Sequence, residues 1–130
     1  MPEKEPPWVP LKTVLAIHEA LIARFGGLSG VRDLGLVESA LARPRNLYTY
    51  DPETTLVQLA TAYAFGLAKN RAFVDGNKRT GWMAAYTFLE QNGRRVTAAQ
   101  AEVVIWMRQL AEGLVTEEEF SWWLRENCGK

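Results

Sequence analysis

Between Asn77 and about Asn92 the chain puts apolar side chains on nearly every side of a would-be helix: Trp82, Met83, Ala84, Ala85, Tyr86, Phe88 and Leu89. A helix that is apolar all round has no face to offer to water, so it belongs at the centre of a bundle. The other segments must then be able to pack around it, and their patterns allow that. Leu11, Val14, Leu15, His18, Leu21, Ile22 and Phe25 recur at steps of three and four, a single helical stripe ended by Gly26-Gly27. Asp33 can cap a second, short helix through Leu41-Ala42, with Pro44 as its stop and Leu47 to Tyr50 as a connecting loop. Asp51-Pro52 offers a cap and a first-turn proline for a helix to about Lys69, whose stripe is Leu56, Leu59, Ala60, Tyr63 and Leu67. Gly93 suits the residue just past the central helix. Thr97-x-x-Gln100 and Thr116-x-x-Glu119 are both capping-box spacings, the first opening a helix that ends near Gly113, the second one carrying Phe120, Trp123 and Leu124. No segment alternates with period two. The expected fold is all-α: a compact single-domain bundle of about six helices over residues 11–130, preceded by an extended lead-in at 1–10.

Composition narrows the function classes. The 130 residues are 48% hydrophobic and 23% charged, within the range of ordinary globular domains. Lysines and arginines number 15, as do aspartates and glutamates, so no net field draws the chain to nucleic acid or anionic lipid. One cysteine, Cys128, cannot form an internal disulfide, which fits a reducing compartment. The proline-rich amino terminus lacks the apolar core of a signal peptide, and no apolar run approaches the roughly 18 residues a membrane span needs. A cytoplasmic protein is the expectation.

Chemistry concentrates in Arg71-Ala72-Phe73-Val74-Asp75-Gly76-Asn77-Lys78-Arg79-Thr80, where one helical pattern passes into the next. The first N–H groups of a helix are unpaired and carry the positive end of its dipole, so a loop feeding a helix start is a natural anion site. Asp75 can act as a Mg²⁺ ligand, since that ion takes one or two carboxylates and completes its shell with phosphate oxygens and water; its plainer reading is a helix cap. Gly76 and Asn77 would let the backbone approach phosphate, or simply form a turn. Lys78 and Arg79 oppose the helix dipole, a cost explained by a site that waits for an anion, with Arg as a fork and Lys as a point charge. Phe73 suits a core anchor for the loop. His18, the only histidine, lies on an apolar stripe and suits a hydrogen-bonded core position.

The loop resembles the active-site motif of the Fic/Doc superfamily, whose Doc-type members read roughly His-x-Phe-x-Asp-Gly-Asn-Lys-Arg-Thr. Phe73 and Asp75 to Thr80 match it. So do His18-Glu19, Phe25-Gly26-Gly27, Gly30 to Asp33, Leu36 to Pro44, Ala62 to Gly66 and Lys69-Asn70, covering roughly His18 to Gly93. The resemblance implies a Doc-type toxin that uses ATP and Mg²⁺ to phosphorylate elongation factor Tu, held inactive by an antitoxin whose carboxy-terminal segment folds onto it. Fic relatives that transfer AMP instead have glycine where this chain has Lys78, and a second arginine where it has Trp82; both features lean toward the kinase type. The chain departs from the family at its histidine, whose place Arg71 takes. That histidine accepts the proton of the attacking hydroxyl, and arginine, protonated at all ordinary pH, cannot. Nucleotide binding with impaired transfer is therefore expected, the alternatives being a catalytically inactive protein-binding relative or an AMP transferase.

Overall fold

The computed structural model describes residues 5–129. Six α-helices are found there: α1 Leu11–Phe25, α2 Leu34–Tyr50, α3 Leu56–Asn70, α4 Asn77–Gln91, α5 Gln100–Ala111 and α6 Glu117–Glu126. The domain is all-α and of the expected architecture. Its sole sheet among the described residues pairs two-residue strands, β1 Arg95–Val96 and β2 Cys128–Gly129, antiparallel. Sequence periodicity gave no hint of these strands because two residues are too few to alternate. None of the described helices is long and apolar enough to cross a membrane.

The most deeply buried helix is α3 rather than α4. Val57, Leu59 to Ala64 and Gly66 to Ala68 are all buried, so α3 is covered on every side. Its small side chains explain why: they let α2 and α4 approach closely. At Gly81 of α4 even a Cβ would stand 2.8 Å from the Ala64 carbonyl oxygen, so only glycine permits this crossing. Helix α4 lies along α3 and against α1, burying Trp82, Ala84, Ala85, Phe88 and Leu89. The antiparallel α3–α4 pair leaves a short connection, residues 71–76, at one end of the bundle.

Several boundaries differ from the sequence expectation. Pro44 does not stop α2; it is buried inside the helix, which runs on to Tyr50. Proline forfeits one backbone hydrogen bond, but packing of Val37, Ala40, Leu41 and Pro44 against the core outweighs that loss. Leu47 and Tyr48, expected in a loop, pack against the core from the last turns of α2. Asp51 closes α2 and forms a turn with Glu53 and Thr54, and it is Thr55 that caps α3 through a reciprocal box with Gln58. The box at Thr116 and Glu119 forms as expected, whereas Thr97 instead bonds the Asn127 carbonyl and α5 starts at Gln100 behind Ala99.

Of the extended lead-in expected at residues 1–10, residues 5–10 carry no helix or strand and residues 1–4 lie outside the described residues. This segment is nonetheless fastened down. Val9 is buried and its N–H donates to the Tyr63 hydroxyl at 2.9 Å, and Trp8 stacks on Phe88.

Candidate active site

The sequence dictates the shape of the loop between α3 and α4 through three local devices. Helix α3 ends at Arg71, whose φ of 54° puts it in the left-handed region, and Gly76 repeats that region just before α4 at φ 78°. Between them the Asn77 side chain clamps Phe73: its Oδ1 accepts from the Phe73 N–H at 3.0 Å and its Nδ2 donates to the Phe73 carbonyl at 3.0 Å. Phe73 itself is buried, as a core anchor should be. Asn77 thus holds the loop with its side chain and leaves its main-chain N–H at the head of α4.

A second strand-like segment, Leu28 to Asp33, lies against the loop. The N–H groups of Arg32 and Asp33 both donate to the Ala72 carbonyl, at 2.8 and 3.0 Å, and the Val74 N–H donates to Gly30. Val31 and Phe73 form an isolated bridge, and the Arg32 guanidinium donates to the Arg71 carbonyl. Sequence reasoning had no place for these contacts. The glycines at 26, 27 and 30 were the signal that the chain turns sharply here, but they do not say against what.

Asp75 sits where the two segments meet. Its Oδ2 accepts from the Leu28 N–H at 3.2 Å and its Oδ1 from its neighbour Gly76 at 2.9 Å. These donors, Leu28 before Gly76, hold its carboxyl below the ordinary carboxylate range, and the charges of Arg79 and His18 act in the same direction. Asp75 is exposed and makes no cap to the first turn of α4, so the plain helix-cap reading does not describe it. Among the described residues no group of three or more histidines, cysteines, aspartates or glutamates gathers around a common point. Asp75 is thus a single carboxylate beside the start of α4.

The cations complete the picture. Lys78 is exposed and has neither a hydrogen bond nor a carboxylate partner among the described residues; the one ion pair found there joins Arg43 to Glu117 on the far helices. The Arg79 guanidinium lies 4.6 Å from the centre of the Phe25 ring, a cation–π contact, and forms no ion pair among the described residues. Arg71 is exposed and its side chain is likewise without a carboxylate partner. The sequence-proposed residues Arg71, Asp75, Gly76, Asn77, Lys78 and Arg79 therefore all belong to one corner of the bundle, around the first turn of α4. Thr80, next in the chain, is fully buried, and its Oγ1 has no partner among the described residues.

Trp82 is mostly buried and packs against Tyr86 and Trp123, so no second cation reaches the site from that turn. Of the five tryptophans Trp122 is exposed, while Trp8 and Trp106 are half-buried. A cleft of about 530 Å³ opens between α1 and the segment at Ser29 to Val31, lined by Leu15, His18, Glu19, Ile22, Ser29 and Val31 among others.

Comparison with known proteins gives the family of the chain. Residues 8–89, more than half of the chain, match the family model described as "Fic/DOC family". "Toxin Doc" of Mycolicibacterium smegmatis is 49% identical over 75 residues, 57% of this chain and 58% of that protein. "Protein kinase doc" of Escherichia phage P1 is 36% identical over 83 residues, 64% of this chain and 66% of that protein. The matched part thus spans somewhat under two thirds of each relative.

Proposed function

We propose, from the premise that the chain belongs to the Fic/DOC family, that it is the Doc-type toxin of a toxin–antitoxin pair. Its site binds ATP with Mg²⁺ and is built to pass the terminal phosphate to a protein hydroxyl, with the transfer step impaired by Arg71. The relatives' names, one a toxin and one a protein kinase, support this reading. The observation that carries it is the first turn of α4: its N–H groups and the cations Lys78 and Arg79, without an ion-pair partner among the described residues, lie beside one ionised carboxylate, Asp75.

The roles follow from the chemistry of each group. The main-chain N–H groups at Asn77, Lys78 and Arg79 receive phosphate oxygens, with the helix dipole behind them. Lys78 and Arg79 neutralise charge that builds on the transferring phosphoryl group. Asp75 would hold Mg²⁺, and bound magnesium would supply further neutralisation of the phosphate oxygens. In transfer the target hydroxyl oxygen bonds to phosphorus, the bond to the bridging oxygen breaks, ADP leaves and the hydroxyl proton must go to a base. Arg71 stands at the base position and cannot take that proton. Loss of general-base help costs about 10²–10⁴ in rate. Binding should survive and turnover should be slow.

The target is a hydroxyl on a translation factor of the elongation factor Tu type, and the partner is an antitoxin whose carboxy-terminal helical segment covers the site. One helical domain at 11–130 carries both functions, in the cytoplasm. The Arg71 substitution also favours a second reading, a protein-binding relative that has abandoned catalysis. Calorimetric titration with a non-hydrolysable ATP analogue separates the two: the first requires Mg²⁺-dependent binding that Asp75→Ala and Arg79→Ala weaken. Affinity that neither substitution alters would reject the phosphate site.

A further inference from the structure

We propose that His18, on α1, is a positioning residue that holds Asp75 in the orientation needed to receive a divalent cation. The proposal rests on the nucleotide reading above. His18 is only 2% exposed, and its Nε2 lies 2.8 Å from the main-chain carbonyl oxygen of Asp75. A carbonyl only accepts, so Nε2 carries the proton and donates. The same ring lies flat on Phe73, with centroids 3.9 Å apart and planes 13° from parallel. It also backs Gly76, where a Cβ would touch its Cδ2 and Nε2 at 3.7 Å. One imidazole therefore meets three of the four residues from Phe73 to Gly76.

The consequence lies in what that loop carries. The carboxylate of Asp75 is exposed and is steered by two N–H groups, those of Leu28 and Gly76. Rotation of the Asp75 main chain would swing the carboxylate off both donors. The His18 hydrogen bond, made from a buried ring pinned between α1 and Phe73, opposes that rotation. An apolar side chain of similar size could fill the space but could not hold the carbonyl. In this respect His18 stands to Asp75 as the hydrogen-bond partner of a metal ligand stands to the ligand, a relation whose loss typically costs about 10–100-fold in metal affinity.

Two variants divide the roles of the ring. His18→Phe keeps the stack on Phe73 and removes the donor; His18→Gln keeps a donor and removes the stack. One readout is the ratio of affinities for a non-hydrolysable ATP analogue with and without Mg²⁺. The other needs no ligand: amide hydrogen exchange at Leu28 and Gly76, whose N–H groups report directly on the Asp75 carboxylate. His18→Phe should reduce the Mg²⁺-dependent gain about tenfold, leave Mg²⁺-free affinity unchanged and speed exchange at those two amides. His18→Gln should recover much of both. A Phe variant that merely melts earlier, with the Mg²⁺ gain and both amides intact, overturns the proposal, as does a Gln variant as defective as Phe. If wild-type protein shows no Mg²⁺-dependent gain, the nucleotide reading and the cation role fall together, while the exchange data still decide whether His18 holds Asp75.

Discussion

Gly27 offers a test of how tightly the Asp75 carboxylate is placed. Its φ of 112° is one that side-chain-bearing residues rarely adopt, and a Cβ there would stand 2.8 Å from Asp75 Oδ2, 3.3 Å from Asp75 Cγ and 3.3 Å from Ile22 Cδ1. Gly26, its neighbour, is also left-handed at φ 85°, but a Cβ there would meet nothing within 4 Å. Both alanine variants should therefore incur the same kind of backbone strain, about 1–3 kcal/mol. For a domain of this size each kcal/mol lowers the melting temperature by roughly 3–5 °C. Only Gly27→Ala adds a steric collision, which forces the carboxylate to turn away from the Leu28 N–H it now meets at 3.2 Å. The expected result is a similar fall in melting temperature for both variants, with about a tenfold loss of Mg²⁺-dependent affinity for an ATP analogue in Gly27→Ala alone. Calorimetry beside thermal melts measures both quantities. Equal Mg²⁺ dependence in the two variants would refute the reasoning, because the carboxylate would then have been free to move all along.

Two further outcomes are expected. The Asp75 carboxyl is held below its ordinary range in the folded state, so its contribution to stability is fully present above the unfolded value near 4 and is lost as pH falls through the lower, folded value; the difference in melting temperature between wild type and Asp75→Asn should accordingly shrink below about pH 4, and a constant difference down to pH 2 would contradict the assignment. A peptide carrying the carboxy-terminal segment of the cognate antitoxin should raise the melting temperature in micromolar excess, since a ligand of the native state alone stabilises by mass action; no shift would count against the toxin–antitoxin role.

The readability of the sequence varied with the range of the interaction involved. Helix α1 was legible to the residue because its stripe ends at two glycines, and the Thr116–Glu119 box marked α6 because it is a contact within one turn. Pro44 misled because local propensity says stop, whereas the packing of α2 on α3 is non-local and prevails. The Thr55–Gln58 box was visible in principle, but the Asp51-Pro52 pair upstream imitated a stronger start. At the site, the order Asp75-Gly76-Asn77-Lys78-Arg79 was enough to gather the charged groups, since they follow one another into a helix. What could not be read was how each is held. The grip of Leu28 on Asp75 spans 47 residues, and that of His18 spans 57. Asn77, read as a place where backbone nears phosphate, turned out to spend its amide on Phe73.

Position 71 is where the functional reading is most exposed to test. Its backbone is fixed by the Arg32 guanidinium on its carbonyl and by the left-handed φ that ends α3, so the side chain can be exchanged without moving the loop. Histidine is among the residues enriched in that conformation. Arg71→His should therefore restore a base beside the proposed phosphate and metal site, lowering the barrier by about 3–5 kcal/mol, or 10²–10⁴ in rate. The decisive measurement is transfer of radiolabelled phosphate from ATP to elongation factor Tu, run side by side for the Arg71 chain and for Arg71→His. The account predicts strong labelling by the histidine form and little by the arginine one. Equal labelling by both would contradict it, and so would no labelling by a histidine form that still binds ATP.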